Sequence, residues 1–120
     1  QDSKSMQGSS DALVCWVPLA ELNDLTGTLE IAPGSHLLGD VSEEIEDGFG
    51  YVNKSVGPYE PVEMELGDVL IFDSKLVHRS GKLYQGATRW SCHFRYNNMY
   101  DSEFIERGYP HPYVYKPIKI

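Results

Sequence analysis

The stretch LVHRSGKLYQGATRWSCHFRY, residues 76–96, joins two strand-like segments through a turn. An apolar strand ends at His78, Gly81 and Gly86 favour a reversal, and an alternating strand begins at Arg89. His78 and Arg89 are equally far from the middle of the turn. A symmetric hairpin would therefore place them opposite each other, with Cβ atoms about 4.5–5.5 Å apart. An imidazole binds metals and a guanidinium grips carboxylates, so the pair predicts a site for a metal and a small dicarboxylate.

The strand that begins at Arg89 alternates between an aromatic face and a polar face, with a period of two residues. We expect the aromatic face to pack into the fold. On the polar face Ser91 would lie about 6.6 Å from Arg89 along the strand, close enough to bind the same anion. His93, one step further, is predicted to be an interior residue or a substrate contact. The aromatic face comprises Trp90, Cys92, Phe94 and Tyr96, and the polar face comprises Arg89, Ser91, His93 and Arg95.

Short strands also dominate the rest of the sequence, whereas helical periodicity is scarce. Strand patterns occur over residues 12–19, 28–33, 62–66, 69–72 and 75–78. The first of them is apolar on both faces, which is typical of a strand that is covered on both sides. Residues 37–60 are acidic and aperiodic and predict a long loop, which with Tyr51 would form a lid over the substrate. The pattern predicts an all-β sandwich or small barrel.

Composition limits the class of partner. The 120 residues carry a formal net charge of −8, which argues against nucleic acid and anionic membrane surfaces as main partners. No apolar run approaches the roughly 20 residues of a membrane span, and no signal peptide is visible. Cys15 and Cys92 fit buried free thiols in a reducing compartment, so we expect a cytoplasmic protein, and a disulfide between them stays open.

An ordered set of short motifs carries a family resemblance. The segments WVPLAELNDLTGTLEIAPGSHLLG (16–39), GDVLIFDSKLVHRS (67–80) and ATRWSCHFRYNN (87–98) resemble the phytanoyl-CoA dioxygenase family of Fe(II)- and 2-oxoglutarate-dependent oxygenases. The resemblance implies a double-stranded β-helix, or jelly roll, that is incomplete on its N-terminal side. Residues 1–120 would then be the C-terminal portion of one dioxygenase domain, which we expect to be inactive alone.

The resemblance also implies roles for single residues. Asp2 matches the carboxylate of a His-Gln-Asp motif whose histidine would lie just before Gln1, and His78 matches the distal histidine ligand. Such a triad of two histidines and one carboxylate leaves positions open at iron. Arg89 would pair with the far carboxylate of 2-oxoglutarate, helped by Ser91.

Two further site residues carry weaker expectations. Trp16 would line the cosubstrate pocket, although a core position fits it equally well. His93 is the best substitute ligand should Asp2 not bind the metal.

The implied reaction is hydroxylation of a small-molecule C–H bond, with release of succinate and CO2. Asp2 favours hydroxylation over halogenation, because related halogenases have a small residue in place of the carboxylate. The acidic loop 37–60 makes an anionic CoA thioester a poor substrate candidate, whereas a natural product, amino acid or amine fits at least as well. Two alternatives stay open: a jelly-roll binding module without turnover, and a cupin-type metalloenzyme that does not use 2-oxoglutarate.

Overall fold

The computed structural model describes residues 1–41, 43–46, 49–52 and 56–108. These residues form eight short strands, two five-residue helices and one turn of 3-10 helix, so the all-β expectation is confirmed. The strands are β1 (Leu13–Pro18), β2 (Leu29–Ile31), β3 (Glu43–Glu46), β4 (Phe49–Val52), β5 (Glu60–Pro61), β6 (Leu70–Asp73), β7 (His78–Ser80) and β8 (Ser91–Tyr96). The helices are α1 (Asp2–Met6) and α2 (Ser102–Glu106), and the 3-10 turn is Ser35–Leu38.

The strands pair antiparallel in three sheets. The first sheet has the order β6-β1-β8 and the second the order β5-β2-β7, while β3 and β4 form a separate hairpin. Chain neighbours such as β7 and β8 therefore lie in different sheets. Each three-stranded sheet is built around the strand that comes first in the sequence.

A core of buried side chains joins the first sheet to the second. Val14 and Trp16 of β1 and Phe72 of β6 cluster with Leu29 of β2 and with Leu76, which precedes β7. Val14 and Trp16 are completely buried. Burial of a large apolar side chain contributes about 1.5–3 kcal/mol, so this cluster holds the two sheets together.

The inward face of β8 is the polar one, so the predicted packing of its aromatic face was wrong. Residues paired across an antiparallel ladder point to the same side. Trp16 pairs with His93 and Val14 pairs with Arg95, so both polar side chains point to the side on which the core lies. Phe94 and Tyr96 point outward, with 51% and 62% of their surface exposed. Alternation separates two faces but does not say which one is inside; the pairing with β1 decides that.

The outer face of the first sheet is correspondingly apolar. Leu13 and Ile71 are 46% and 61% exposed, and the free thiols of Cys15 and Cys92 are half-buried on this same face. The expectation that β1 is covered on both sides is therefore wrong for the part of the chain that the structure describes.

Other predicted boundaries need smaller corrections. The expected loop 37–60 contains the β3–β4 hairpin, and the side chain of Tyr51, which was predicted to belong to a lid, lies outside the described part. The pattern over 62–66 forms no strand, and the strand expected at 75–78 is β7, which begins only at His78. Helix α1, which carries Asp2, was not predicted.

Among the described residues, no helix has the length and apolar character needed to cross a membrane.

Candidate metal and dicarboxylate site

The carboxylate of Asp2 lies at the start of α1 and is 7% exposed. A five-residue helix is too short to be stable by itself, so its position depends on contacts with the rest of the fold. The backbone N–H of Ser3 donates to the carbonyl of Ser74 at 3.0 Å. The side-chain amide of Gln1 donates to the carbonyl of Lys75 at 2.5 Å. These bonds fix α1 against the connection between β6 and β7.

The imidazole of His78 is oriented by its own backbone neighbourhood. His78 begins β7 opposite Ile31 of β2, and its ring packs edge-on against Phe72 with centroids 5.0 Å apart. The Nδ1 atom lies 2.9 Å from the carbonyl oxygen of Leu76. A carbonyl can only accept, so Nδ1 carries the proton and Nε2 keeps its lone pair. Burial lowers the pKa of His78, which favours this neutral form.

The structure brings Asp2 and His78 together, although they are far apart in the sequence. The Oδ2 atom of Asp2 lies 3.8 Å from Nε2 of His78. Both atoms are electron-pair donors, so a cation between them would satisfy both. Two ligands about 2.1 Å from a metal at right angles lie about 3.0 Å apart, so a shift of less than 1 Å would let both atoms bind one ion.

Arg89 does not lie across a hairpin from His78, and that prediction was wrong. Strand β7 pairs with β2, whereas β8 pairs with β1 along its whole length. Residues 81–90 form a connection that is long enough to pass from one sheet to the other. A tight symmetric turn would have used fewer residues.

Arg89 nevertheless reaches β7 with its side chain. The guanidinium donates from Nη2 to Oγ of Ser80 and from Nη1 to the carbonyl of Thr28, each at 3.0 Å. Ser80 lies two residues beyond His78 on the same face of β7, a distance of about 6.6 Å along the strand. Partial burial lowers the pKa of Arg89, although arginine stays a cation. The guanidinium thus contacts a residue that lies one strand period beyond His78.

Trp16 lies beside this arginine and is both a core residue and a wall of the site. The Cζ atom of Arg89 lies 5.7 Å from the centre of the indole, and the ring of His93 meets it edge-on at 6.4 Å. The indole Nε1 is buried and has no hydrogen-bond acceptor among the described residues. Ser91 is half-buried on the inward face of β8. Burial and the charge of Arg95 lower the pKa of His93.

Arg95 was not predicted to take part. Its Nη2 donates to Oδ1 of Asp2 at 3.0 Å and lies 3.4 Å from Nδ1 of His93. The signal that could have found it is its place on the polar face that also presents Arg89. Arg89 contacts Ser80 and Thr28. The sequence carries no recognisable indication of these contacts, because they depend on how the two sheets stack.

No group of three or more histidine, cysteine, aspartate or glutamate side chains gathers at one point within the described ranges. Within these ranges Asp2 and His78 are a pair of potential ligands and not a complete metal site. A facial triad needs two histidines and one carboxylate, one ligand more than this pair.

The β-rich fold thus places a carboxylate beside an imidazole, and an arginine hydrogen-bonded to a serine two residues beyond that histidine. A sequence model of the phytanoyl-CoA dioxygenase (PhyH) family matches residues 1–89, which is more than half of the chain, and the chain belongs to that family. The match includes Asp2, His78 and Arg89 and ends before Ser91. Searches of curated proteins and of solved structures found no match. Membership indicates an oxygenase of the iron and 2-oxoglutarate type.

Proposed function

We propose that this chain forms part of an Fe(II)- and 2-oxoglutarate-dependent dioxygenase that hydroxylates a C–H bond of a small molecule. We further propose that its two sheets belong to a double-stranded β-helix. The observation that carries the proposal is the approach of Asp2 Oδ2 to His78 Nε2 at 3.8 Å, inside a chain that matches an oxygenase family.

The donor set fits Fe(II). One carboxylate oxygen and one neutral imidazole nitrogen are two of the three ligands in the facial triad of non-haem iron oxygenases. The hydrogen bond from Nδ1 to the carbonyl of Leu76 is the type of outer contact that fixes the tautomer and the ring plane of metal-binding histidines. Asp2 and His78 would hold the ion, and His93 would contact the substrate.

The surroundings of Arg89 fit the far carboxylate of 2-oxoglutarate. Among the described residues it donates to a backbone carbonyl and a neutral hydroxyl, which leaves most of its five N–H donors for a ligand. The indole of Trp16 lies beside this guanidinium, and its buried Nε1 is a donor without an acceptor among the described residues. Ser91 would add a hydroxyl to the same anion.

When bound, Fe(II) and 2-oxoglutarate supply the oxidising chemistry, in which O2 is consumed and succinate and CO2 are released. The contribution of the chain is binding and orientation. Asp2 and His78 would hold the ion, and Arg89 would bind the distal carboxylate of the cosubstrate. The buried ring of Trp16 limits the access of water from the core side.

The first test measures cosubstrate binding in the full-length protein that contains this chain. Under anaerobic conditions, Fe(II) and 2-oxoglutarate together should give the weak visible charge-transfer band of their chelate. Arg89→Ala should weaken 2-oxoglutarate binding by about 10- to 100-fold, because a charge-assisted hydrogen-bond pair is lost. Arg79→Ala is the matched control, since Arg79 is exposed and pairs with Glu30 at 2.6 Å on β2.

Other outcomes would select a rival function. Failure to bind Fe(II) would contradict the proposal and favour a jelly-roll binding module. Iron binding with turnover that does not depend on 2-oxoglutarate would favour a cupin-type metalloenzyme. Equal 2-oxoglutarate affinity in Arg89→Ala and wild type would remove this arginine from the site.

A further inference from the structure

Arg89, just before β8, and Arg95, within β8, lie on the same polar face but have different hydrogen-bond partners. Among the described residues, Arg89 donates to a carbonyl and a hydroxyl and therefore keeps its positive charge available to an anion. Arg95 donates to the carboxylate of Asp2 at 3.0 Å, with 21% of its side chain exposed against 9% for Asp2. Its charge is thus already balanced inside the fold. The same residue type serves two purposes on one strand face.

The contact between Arg95 and Asp2 uses only one carboxylate oxygen. Oδ1 accepts from Arg95, whereas Oδ2 is the atom that faces Nε2 of His78 at 3.8 Å. A carboxylate held at one oxygen by a charged donor cannot rotate freely about its terminal bond. The guanidinium of Arg95 therefore fixes the rotation of the carboxylate that turns its second oxygen towards the imidazole of His78.

Arg95 is itself well placed to act as a rigid support. It lies in β8, where it pairs with the completely buried Val14 of the central strand β1. Asp2, in contrast, lies in a five-residue helix that cannot hold a side chain still by its own stability. The hydrogen bond from Arg95 therefore ties the carboxylate of Asp2 to the first sheet.

We infer that Arg95 is a positioning residue that orients Asp2 as a ligand through one oxygen, while Arg89 alone receives the carboxylate of the cosubstrate. This inference rests on the proposed function, because it presumes that Asp2 binds a metal. It assigns to Arg95 an effect on metal affinity and to Arg89 an effect on 2-oxoglutarate affinity. The two effects are separable by experiment.

The test uses Co(II), a redox-stable probe with visible absorption that reports its coordination, in the full-length protein. Arg95→Ala should weaken Co(II) binding by about 10- to 100-fold, as loss of outer contacts to metal ligands typically does. Its Co(II) absorption should also change shape, whereas 2-oxoglutarate affinity at saturating Co(II) should stay within about twofold of wild type. Arg89→Ala should show the reverse pattern, and Arg95→Lys should recover part of the Co(II) affinity.

Each contrary result has a distinct meaning. Wild-type Co(II) affinity in Arg95→Ala would overturn the inference and leave the proposed function intact. Loss of 2-oxoglutarate affinity without loss of Co(II) affinity would make Arg95 the anion receptor and also overturn it. Co(II) binding that is insensitive to Asp2→Asn would overturn the proposed metal site together with the inference. If Arg95→Ala does not fold, Arg95→Met, which keeps the apolar stem, is titrated instead and judged by the same criteria.

Discussion

At the scale of single residues, Asp101 illustrates how one carboxylate orders two segments of the chain. Its Oδ1 atom accepts from the backbone N–H groups of Glu103 and Phe104 at 2.9 and 3.3 Å, which caps α2. Its Oδ2 atom accepts from the backbone N–H of Ser10 at 2.5 Å. The bond to Ser10 contributes most to lowering the pKa of Asp101, to about 2. This carboxylate therefore connects α2 to the segment before β1.

The lowered pKa predicts how stability changes with pH. The folded pKa of about 2 lies below the ordinary value of 3.8, so the ionised carboxylate stabilises the fold above about pH 4. This contribution should be lost as the pH falls from about 4 towards 2. Asp101→Asn still caps the helix but does not titrate. The difference in unfolding free energy between wild type and Asp101→Asn, measured by urea titration from pH 6 downward, should narrow in that range. A constant difference would show that Asp101 is not the group responsible.

Single residues were the level at which the sequence was most informative about the site. Asp2, His78 and Arg89 were assigned from a motif and a spacing, and the structure brings the first two within 3.8 Å. The predicted hairpin between His78 and Arg89 was wrong, because β7 and β8 belong to different sheets. Contacts between sheets, such as the bond from Arg89 to Ser80, leave no periodic signal in the sequence.

At the scale of secondary-structure elements, β8 determines the character of the first sheet. Its pairing with β1 turns the polar residues inward and leaves Phe94 and Tyr96 outside. The sequence predicted an alternating strand here, and the structure has β8 at Ser91–Tyr96. Its orientation could not be predicted, because the usual rule that apolar faces are buried fails for this strand, whose polar side chains point inward.

A matched pair of phenylalanines tests this orientation. Phe72 of β6 is 7% exposed on the inner face, whereas Phe94 of β8 is 51% exposed on the outer face. Phe72→Ala should lower the free energy of unfolding by about 3–5 kcal/mol, because it leaves a cavity in the core. Phe94→Ala should lower it by about 1 kcal/mol or less, since much of its surface already contacts water. Denaturant titration of both variants gives the comparison, and equal losses would mean that the outer aromatic face is buried against another surface.

At the scale of the whole molecule, the candidate site lies where three separate parts of the chain meet. Helix α1 contributes Asp2, the second sheet contributes His78, and the connection leading into β8 of the first sheet contributes Arg89. The core cluster that includes Trp16 and Phe72 joins the two sheets directly beneath these side chains. Strand content and the two central strands were predictable from apolar periodicity. The stacking of the sheets was not, since it depends on contacts between residues far apart in the sequence.

This arrangement predicts that a bound metal stabilises the whole fold by linking its parts. An ion held by Asp2 and His78 would connect α1 to β7, and a ligand that binds only the folded state stabilises it by about 2.7 kcal/mol at 100 times its Kd. The midpoint of thermal unfolding should then rise by several degrees. Saturating Co(II) should produce this rise in the full-length wild type and in Asp24→Asn, whose carboxylate is on the surface. Asp2→Asn, which keeps the shape of the side chain and an acceptor for Arg95, should abolish most of it. An undiminished rise in Asp2→Asn would place the bound metal among the other acidic groups of the chain and would contradict a site at Asp2 and His78.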